Sequence, residues 1–310
     1  MIEILRSRGM VIEHGDQAAY VESVLRTENY YNVINGYKEL FIERNCGQEP
    51  ERYKDGTTFE EVYALYRFDR DVRHIYLRGL LKAENSFKTV ISHEFSRVYG
   101  HDNYLKMDNF DLEPPEQKIA EVIKLIGDIQ QEIARQMGKR HQVVTHYMSQ
   151  HGYMPLWVLV NVLTFGKITT FYKNMKPADR LDVARQFGVA SDELHKYMEN
   201  LGLARNKCAH DERFFDMKFK KALHTKSIRN FAALELPRRT DGSYVNGTND
   251  IYAIAIIFAR ILDQAEVEAF ISAMEAAFSV LAGHLQTISI TDVMHKMGYH
   301  ENWKNLRCLK

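Results

Sequence analysis

The sequence predicts an all-α fold, and three observations carry that reading. Only six prolines and 17 glycines punctuate 310 residues. Long stretches between them place apolar side chains at three- and four-residue steps, the period of a helix with one buried face. Strict alternation of apolar and polar residues, which marks a half-buried strand, is scarce.

The elements follow in chain order. Thr58 with Glu61 three residues on forms a capping box that opens a segment from Phe59 to Tyr99, ended by Gly100. That segment is one extended helix or two with a break near Gly79. Pro114-Pro115 stands where proline favours a helix start, ahead of a helix over Gln117–Met137 whose stripe is Ile119, Val122, Ile123, Ile126, Ile129, Ile133 and Met137. The run from Trp157 to Phe165 is apolar and ends at Gly166. Residues 178–187 are amphipathic and stop at Gly188. Ser191 reads as the N-cap of a helix over Asp192–Leu201, with Gly202 as its stop. A further helix or turn covers Leu203 to about Phe215, and two more helices lie near Asn249–Leu262 and Glu266–His284. Between them, Asp241-Gly242 and Asn246-Gly247 are turn dipeptides, so residues 237–248 form a short hairpin or an irregular loop. That loop is the best candidate boundary, dividing 1–236 from 237–310, or equally an insertion in one domain. Tyr30-Tyr31 and the stretch from Ile251 to Leu262 read most simply as core.

Composition narrows the functional classes. Lys plus Arg and Asp plus Glu both number 41, charged residues are 26% and hydrophobic residues 45%. These are globular proportions, and a zero balance makes any nucleic-acid site a local patch. Three scattered cysteines, Cys46, Cys208 and Cys308, suit a reducing compartment better than a disulfide framework. No CxxC pair, HExxH, GxGxxG or phosphate loop is present. His141, His146 and His151 recur every five residues, a spacing that spreads them around a helix, so no metal site and no cofactor is expected. Met1–Arg6 does not resemble a secretion signal. The most apolar stretch, Ile251–Leu262, contains Arg260 and falls short of the roughly 20 residues a membrane span needs. A cytoplasmic protein is expected.

The most informative segment is Arg205-Asn206-Lys207-Cys208-Ala209-His210. Arginine supplies a permanent planar cation suited to a phosphate, and histidine exchanges a proton near neutral pH. Asn206 and His210, four apart, share a helix face, so Asn206 could orient the imidazole. Arg205 is five from His210, about 140° away on an ideal helix. These groups suit RNA cleavage, in which the substrate's own 2′-hydroxyl attacks, a histidine moves the proton and an arginine stabilises the phosphorane-like charge. One histidine gives a base or an acid, and a second copy of the site, in a dimer, completes the pair. On spacing alone, R-x4-H is more often a surface pair than a site.

Three further groups stand out. Glu84 and Lys88 are one turn apart, either an ordinary ion pair or a carboxylate that orients Arg205 or His210. Asp69, Arg70 and Arg73 cluster on the same element, more often a structural tie than an RNA contact. From Arg205 to Arg229, eight Lys/Arg face three acids, +5 over 25 residues. Lys207, Arg213, Lys218, Lys220 and Lys221 are the RNA-binding candidates. Phe214, Phe215 and Phe219 either stack on bases or belong to the core.

Arg205–Phe215, RNKCAHDERFF, resembles the R-N-x-x-A-H signature of the HEPN superfamily, specifically of the Abi-like (AbiD/AbiF) abortive-infection proteins. Leu5-x-x-Arg8-Gly9-Met10-x-Ile12 and Tyr30-Tyr31-Asn32-Val33-Ile34-Asn35-Gly36-Tyr37-Lys38-x-x-Phe41 are similar to that family's opening. Thr57-Thr58-Phe59-Glu60-Glu61, Leu65-Tyr66-x-Phe68-Asp69-Arg70-x-x-Arg73, Glu84-x-x-x-Lys88 and Tyr99-Gly100 follow in order. Trp157, Phe165-Gly166, Met297-Gly298-Tyr299 and Trp303 extend the likeness across most of the chain. The resemblance implies a HEPN-like helical bundle with additional N- and C-terminal helices, acting as a metal-independent RNase toxin in phage defence. It further implies a homodimer with two facing motifs, Arg205 and His210 as the catalytic pair with Asn206 in support, and restraint by a small RNA or other antitoxin. Glu212 replaces the tyrosine of HEPN toxins silenced by nucleotidyltransferases, so that pairing is not implied. The competing expectations are a catalytically silent RNA-binding or sensor module, and a protein-interaction scaffold.

Overall fold

The computed structural model describes residues 1–43 and 51–309; Cys46 lies outside the described residues. The α-helices are α1 (Ile2–Ser7), α2 (Asp16–Thr27), α3 (Phe59–Tyr99), α4 (Pro115–Gly138), α5 (Gln142–His151), α6 (Leu156–Leu159), α7 (Phe165–Asn174), α8 (Pro177–Gln186), α9 (Ser191–Ala209), α10 (Ile251–Ile261), α11 (Gln264–Ala282) and α12 (Ile290–Met297). Only isolated β-bridges pair among the described residues, so the all-α class holds.

The molecule is organised along α3, a single helix of 41 residues. At 1.5 Å per residue it is roughly 60 Å long. Gly79 does not break it. A Cβ there would lie 2.8 Å from the Phe258 ring, so the glycine lets α10 press against α3 inside an unbroken helix. The first half of α3 faces the C-terminal helices. Phe68 packs on Phe278 of α11, and Tyr76 meets Phe258, Phe270 and Phe214 edge-on or tilted. The Tyr76 hydroxyl donates to the Ile251 carbonyl and lies 2.6 Å from that of Tyr299. The second half faces α6 to α9 and the segment before α4. Phe87 packs on Phe165 and Phe187, and Phe95 packs on Phe110 and Phe171. The buried apolar side chains form one contiguous core.

The capping box at Thr58 is only half made. The Thr58 hydroxyl accepts the Glu61 N–H at 3.2 Å, but the Glu61 carboxylate does not return to Thr58. It accepts instead from the amides of Gln286, Thr287 and Ile288 and from the Thr287 hydroxyl. Three converging amides and a hydroxyl offer a buried carboxylate more than one exposed cap amide, so this residue fixes the α11–α12 turn to the start of α3.

Elsewhere the helix edges depart from expectation for identifiable reasons. α9 runs through Gly202 because Ala204 and Cys208 continue the buried stripe of Leu194, Tyr197, Met198 and Leu201. That burial offsets the ~1 kcal/mol penalty of an interior glycine. Its N-cap is Ala190 with no side-chain cap, and Ser191 is already helical; Asp192 and Glu193 complement the helix dipole there. Gly166 ends nothing, since Thr164 caps α7 through the Lys167 N–H and places Gly166 in its first turn. Of Tyr30-Tyr31, Tyr31 is exposed and only Tyr30 is partly buried, whereas Ile251–Ala259 is wholly buried. Residues 237–248 fold as a tight turn, with an isolated bridge between Arg238 and Tyr244 and the Arg239 N–H donating to the Ser243 carbonyl.

Gly298 ends α12 with φ +90°, and a Cβ there would fall 2.1 Å from the Asp250 carboxylate carbon. Asp250 is fully buried, caps α10 through Ala253 N–H and holds the Gly247 N–H. Gly298→Ala combines a disfavoured backbone with a collision against a buried charge. A loss of about 2–4 kcal/mol of stability is expected, read from urea unfolding; a variant as stable as the parent would contradict this packing.

Candidate functional site

The R-x4-H segment sits at the C-terminal end of α9, not after a helix stop. Arg205, Asn206 and Lys207 are in the last turns, and His210 is the C-cap residue. Five residues of helix separate Arg205 from His210 by ~7.5 Å along the axis. Cys208 belongs to the buried stripe, and burial pushes its thiol pKa up to about 12. Asn206 and His210 are exposed. Asn206 does not orient the imidazole: its link to His210 is the ordinary backbone bond, His210 N–H to Asn206 C=O at 3.0 Å.

Arg205 leans toward α3. Its Nε lies 3.4 Å from Oε2 of the buried Glu84, whose Oε1 holds the Lys88 ammonium at 2.8 Å. Both Nε of Arg205 and Oε2 of Glu84 are buried without a well-formed hydrogen bond, so the contact is electrostatic. Among the described residues, the terminal Nη atoms of Arg205 make no hydrogen bond, and Glu84 is the ion-pair partner of the guanidinium. The guanidinium therefore keeps its outward edge for a ligand.

The chain beyond His210 is clamped by the cluster on α3. Asp211 adopts the left-handed conformation, φ 56°, which aspartate tolerates. The Glu212 N–H closes back on the Lys207 carbonyl at 3.1 Å, the outer bond of a Schellman cap. The Asp69 carboxylate, 0% exposed, accepts from the Phe214 and Phe215 amides at 3.0 and 2.8 Å, from Arg73 Nη1 at 2.8 Å and from the Tyr37 hydroxyl. Arg73 reaches on to the Asp211 carboxylate and the Glu212 carbonyl. Burial pushes the Asp69 pKa above its ordinary value, against the pull of Arg73 and the other donors. Asp69 and Arg73 thus tie helices and set where α9 ends. Arg70 pairs with Glu28 of the segment after α2.

The basic run looks different in three dimensions. Acids from outside it meet four of its eight cations, Arg205, Arg213, Lys218 and Lys221. Lys218 meets Asp250 and Lys221 meets Glu199; Arg213 pairs with Asp216 and Glu39 and lies over the Phe215 ring. Lys207 pairs with Glu212. Lys220, Lys226 and Arg229 are exposed and have no ion-pair partner among the described residues. Phe214, Phe215 and Phe219 are all buried, so base stacking by them is ruled out; their apolar surface is taken up by Tyr76, Tyr37 and the core. The histidines also differ from expectation. His141 precedes α5, but the rings of His146 and His151 approach to 6.1 Å with Tyr147 beside them. Their offset of about 140° around the helix is bridged by the reach of the side chains at the helix end.

The chain is all-α and built on one long helix, with a half-buried arginine and an exposed histidine at the end of a second helix packed across it. The chain belongs to the Abi-like protein family, whose model matches residues 23–216. That span takes in α3 whole, the R-x4-H segment, and Phe214 and Phe215 on Asp69. Membership implies abortive-infection defence against phage. No curated protein and no solved structure matches the chain. No helix among the described residues is long and apolar enough to cross a membrane.

Two outcomes follow from this geometry. Asp69→Ala strands Arg73 and two amides in the interior, so a loss of about 3–5 kcal/mol is expected in urea unfolding. Iodoacetamide at pH 8 should label the exposed Cys308 in the folded protein and spare Cys208, as read by mass spectrometry; rapid labelling of Cys208 would show that α9 is not packed in this way.

Proposed function

We propose that this Abi-like protein is a metal-independent endoribonuclease, the toxin of an abortive-infection system, with a HEPN-type site. The observation that carries the reading is the presence, at one helix end, of an arginine whose terminal nitrogens make no hydrogen bond and an exposed histidine. The 2′-hydroxyl attacks phosphorus, the bond to the 5′-oxygen breaks, and a 2′,3′-cyclic phosphate and a 5′-hydroxyl result. His210 takes the proton from the 2′-oxygen or delivers one to the leaving 5′-oxygen. Arg205 stabilises the charge gathering on the phosphoryl oxygens, with Glu84 and Lys88 fixing its direction as positioning residues. In a homodimer the partner's motif supplies the second proton-transfer group. Lys207, Arg213, Lys218, Lys220 and Lys221 would steer the phosphate backbone; of these Lys220 needs to break no ion pair to do so. A small RNA acting as antitoxin would compete for the same cations, and a reducing cytoplasm would hold enzyme and substrate alike.

A second reading, a silent RNA-binding or sensor module, is favoured by one observation: no side-chain hydrogen bond or ring contact holds the His210 imidazole among the described residues.

Incubation of purified protein with RNA in EDTA separates the two. Cyclic-phosphate ends are expected, and His210→Ala or Arg205→Ala should each slow cleavage at least about 100-fold while RNA binding persists. Wild type that binds RNA and leaves it intact would favour the sensor. A monomeric mass by light scattering at micromolar concentration would remove the composite cleft.

A further inference from the structure

The family match and the R-x4-H site leave one conspicuous surface unexplained. It begins where α3 ends and runs over α5 and α6. The chain has two tryptophans. Trp303 is buried in the C-terminal core, but Trp157 on α6 is 51% exposed. Its ring lies 5.2 Å from that of His101, the second residue after α3. His101 in turn faces Tyr153 at 5.5 Å, its Nε2 3.1 Å from the tyrosine hydroxyl. Tyr153 neighbours His151 at 6.3 Å, and His151 neighbours Tyr147 and His146 at 5.8 and 6.1 Å. Gly152, left-handed at φ 74°, turns the chain so that Tyr153 comes back beside the end of α5. The result is a row of six rings, of which Trp157, Tyr153, His151 and His146 are exposed.

The charge around this row is one-sided. Residues 133–178 contain no Asp or Glu, yet six Lys/Arg, in a chain whose totals balance. Three of the six are spent on carboxylates: Arg135 and Lys167 on Glu132, Lys173 on Glu121. Lys176 lies over the Tyr99 ring. Lys139 and Arg140, between α4 and α5, are exposed and without an ion-pair partner among the described residues. Asp102 is the acid that borders His101. Exposed flat rings in series, with two unpaired cations at the opposite end of α5, ~15 Å from His151 along the helix, complement a single strand, whose unstacked bases sit on a polyanionic backbone. Trp157 and Tyr153 would also suit a protein interface, but the unpaired Lys139 and Arg140 and the acid-free stretch favour a polyanion.

We propose that the Trp157–His101–Tyr153–His151 row, with Lys139 and Arg140, is a stacking platform for single-stranded RNA, separate from the R-x4-H site. The proposal rests on the reading of the chain as an RNA-directed protein and gives that reading a second contact. Glu84, beside Arg205, and Gly100, beside His101, are sixteen residues apart on and just beyond α3, or ~24 Å along its axis. Asp211, next to His210, is held by Arg73, farther still from Gly100, so a strand touching both platform and site would have to span at least that distance. The rings select unpaired over duplex RNA and set no base identity, since every base has a face to stack.

The test uses full-length His210→Ala protein, so that RNA stays intact, with a short fluorescein-labelled oligouridylate as probe. Trp157→Ala and Tyr153→Ala should each weaken binding by about five- to a hundredfold. Trp157→Phe should restore most of it, and circular dichroism should show all variants folded. Trp157 emission should fall on adding RNA, a change absent from Trp157→Phe. Changing both Lys139 and Arg140 to Ala should reduce the slope of log affinity against log salt by about 1.4. The proposal is overturned if Trp157→Ala and Tyr153→Ala bind as their parent does, if the parent binds no single-stranded RNA, or if the same changes alter the oligomeric mass and leave RNA binding intact, which would make this a protein interface. Cleavage by otherwise wild-type protein is scored separately. RNA binding that depends on Trp157 in a protein that never cuts would keep the platform and discard the nuclease reading.

Discussion

The fully buried carboxylate of Asp69 is the constraint on which the rest of the structure turns. It has no access to water, so every lone pair must be met by protein donors. Those donors come from three distant regions of the chain: a tyrosine before α3, an arginine one turn along α3, and two successive amides after α9. Meeting that demand fixes where α9 stops, turns Asp211 into the left-handed region and buries Phe214 and Phe215. The exposure of His210 is a consequence. The imidazole is left at a helix end because the residues just beyond it are drawn inward.

Farther along α3, Glu84 has a lesser role of the same kind. A buried carboxylate within reach of both Lys88 and Arg205 places the guanidinium without consuming its outward nitrogens. The two α3 acids divide the work, Asp69 holding the backbone after the motif and Glu84 holding one side chain within it. Both are buried on α3, as are Glu61, Arg73 and Glu94, and a buried charge has to be met by partners.

Much of this architecture could be read from the sequence, and the omissions have physical causes. The long α3 and α4 were legible because their apolar periodicity runs for many turns and Gly100 and Pro115 mark their ends. α9 was misread at both ends because Gly202 and Ser191 are strong local signals, whereas the burial of Ala204 and Cys208 is a tertiary fact. α1, α2, α5, α7 and α12 were given no ranges; none exceeds 12 residues, so little periodicity accumulates. At the site, the residue types of Arg205 and His210 were legible, as was the proximity of an acid one turn from Lys88. The fate of the basic run was not, because Glu199, Asp250 and Glu39, which pair with part of it, come from elsewhere in sequence. The acid-free stretch over 133–178 was in plain view, but its meaning depends on rings that only the fold brings into a row.

The pairing pattern of α3 also bears on synthesis. The helix is complete once Tyr99 has been made, yet Glu61, Tyr76 and Gly79 find their partners in Ile251, Phe258, residues 286–288 and Tyr299. A ribosome adding 5–20 residues per second needs roughly 10–40 s to cover the remaining distance. During that interval one flank of the rod has nothing to rest against, whereas α9 already has α3, α7 and α8 to pack on. Until residues 286–299 have been made, Glu61 and Tyr76 lack the partners that join the start of α3 to the C-terminal helices.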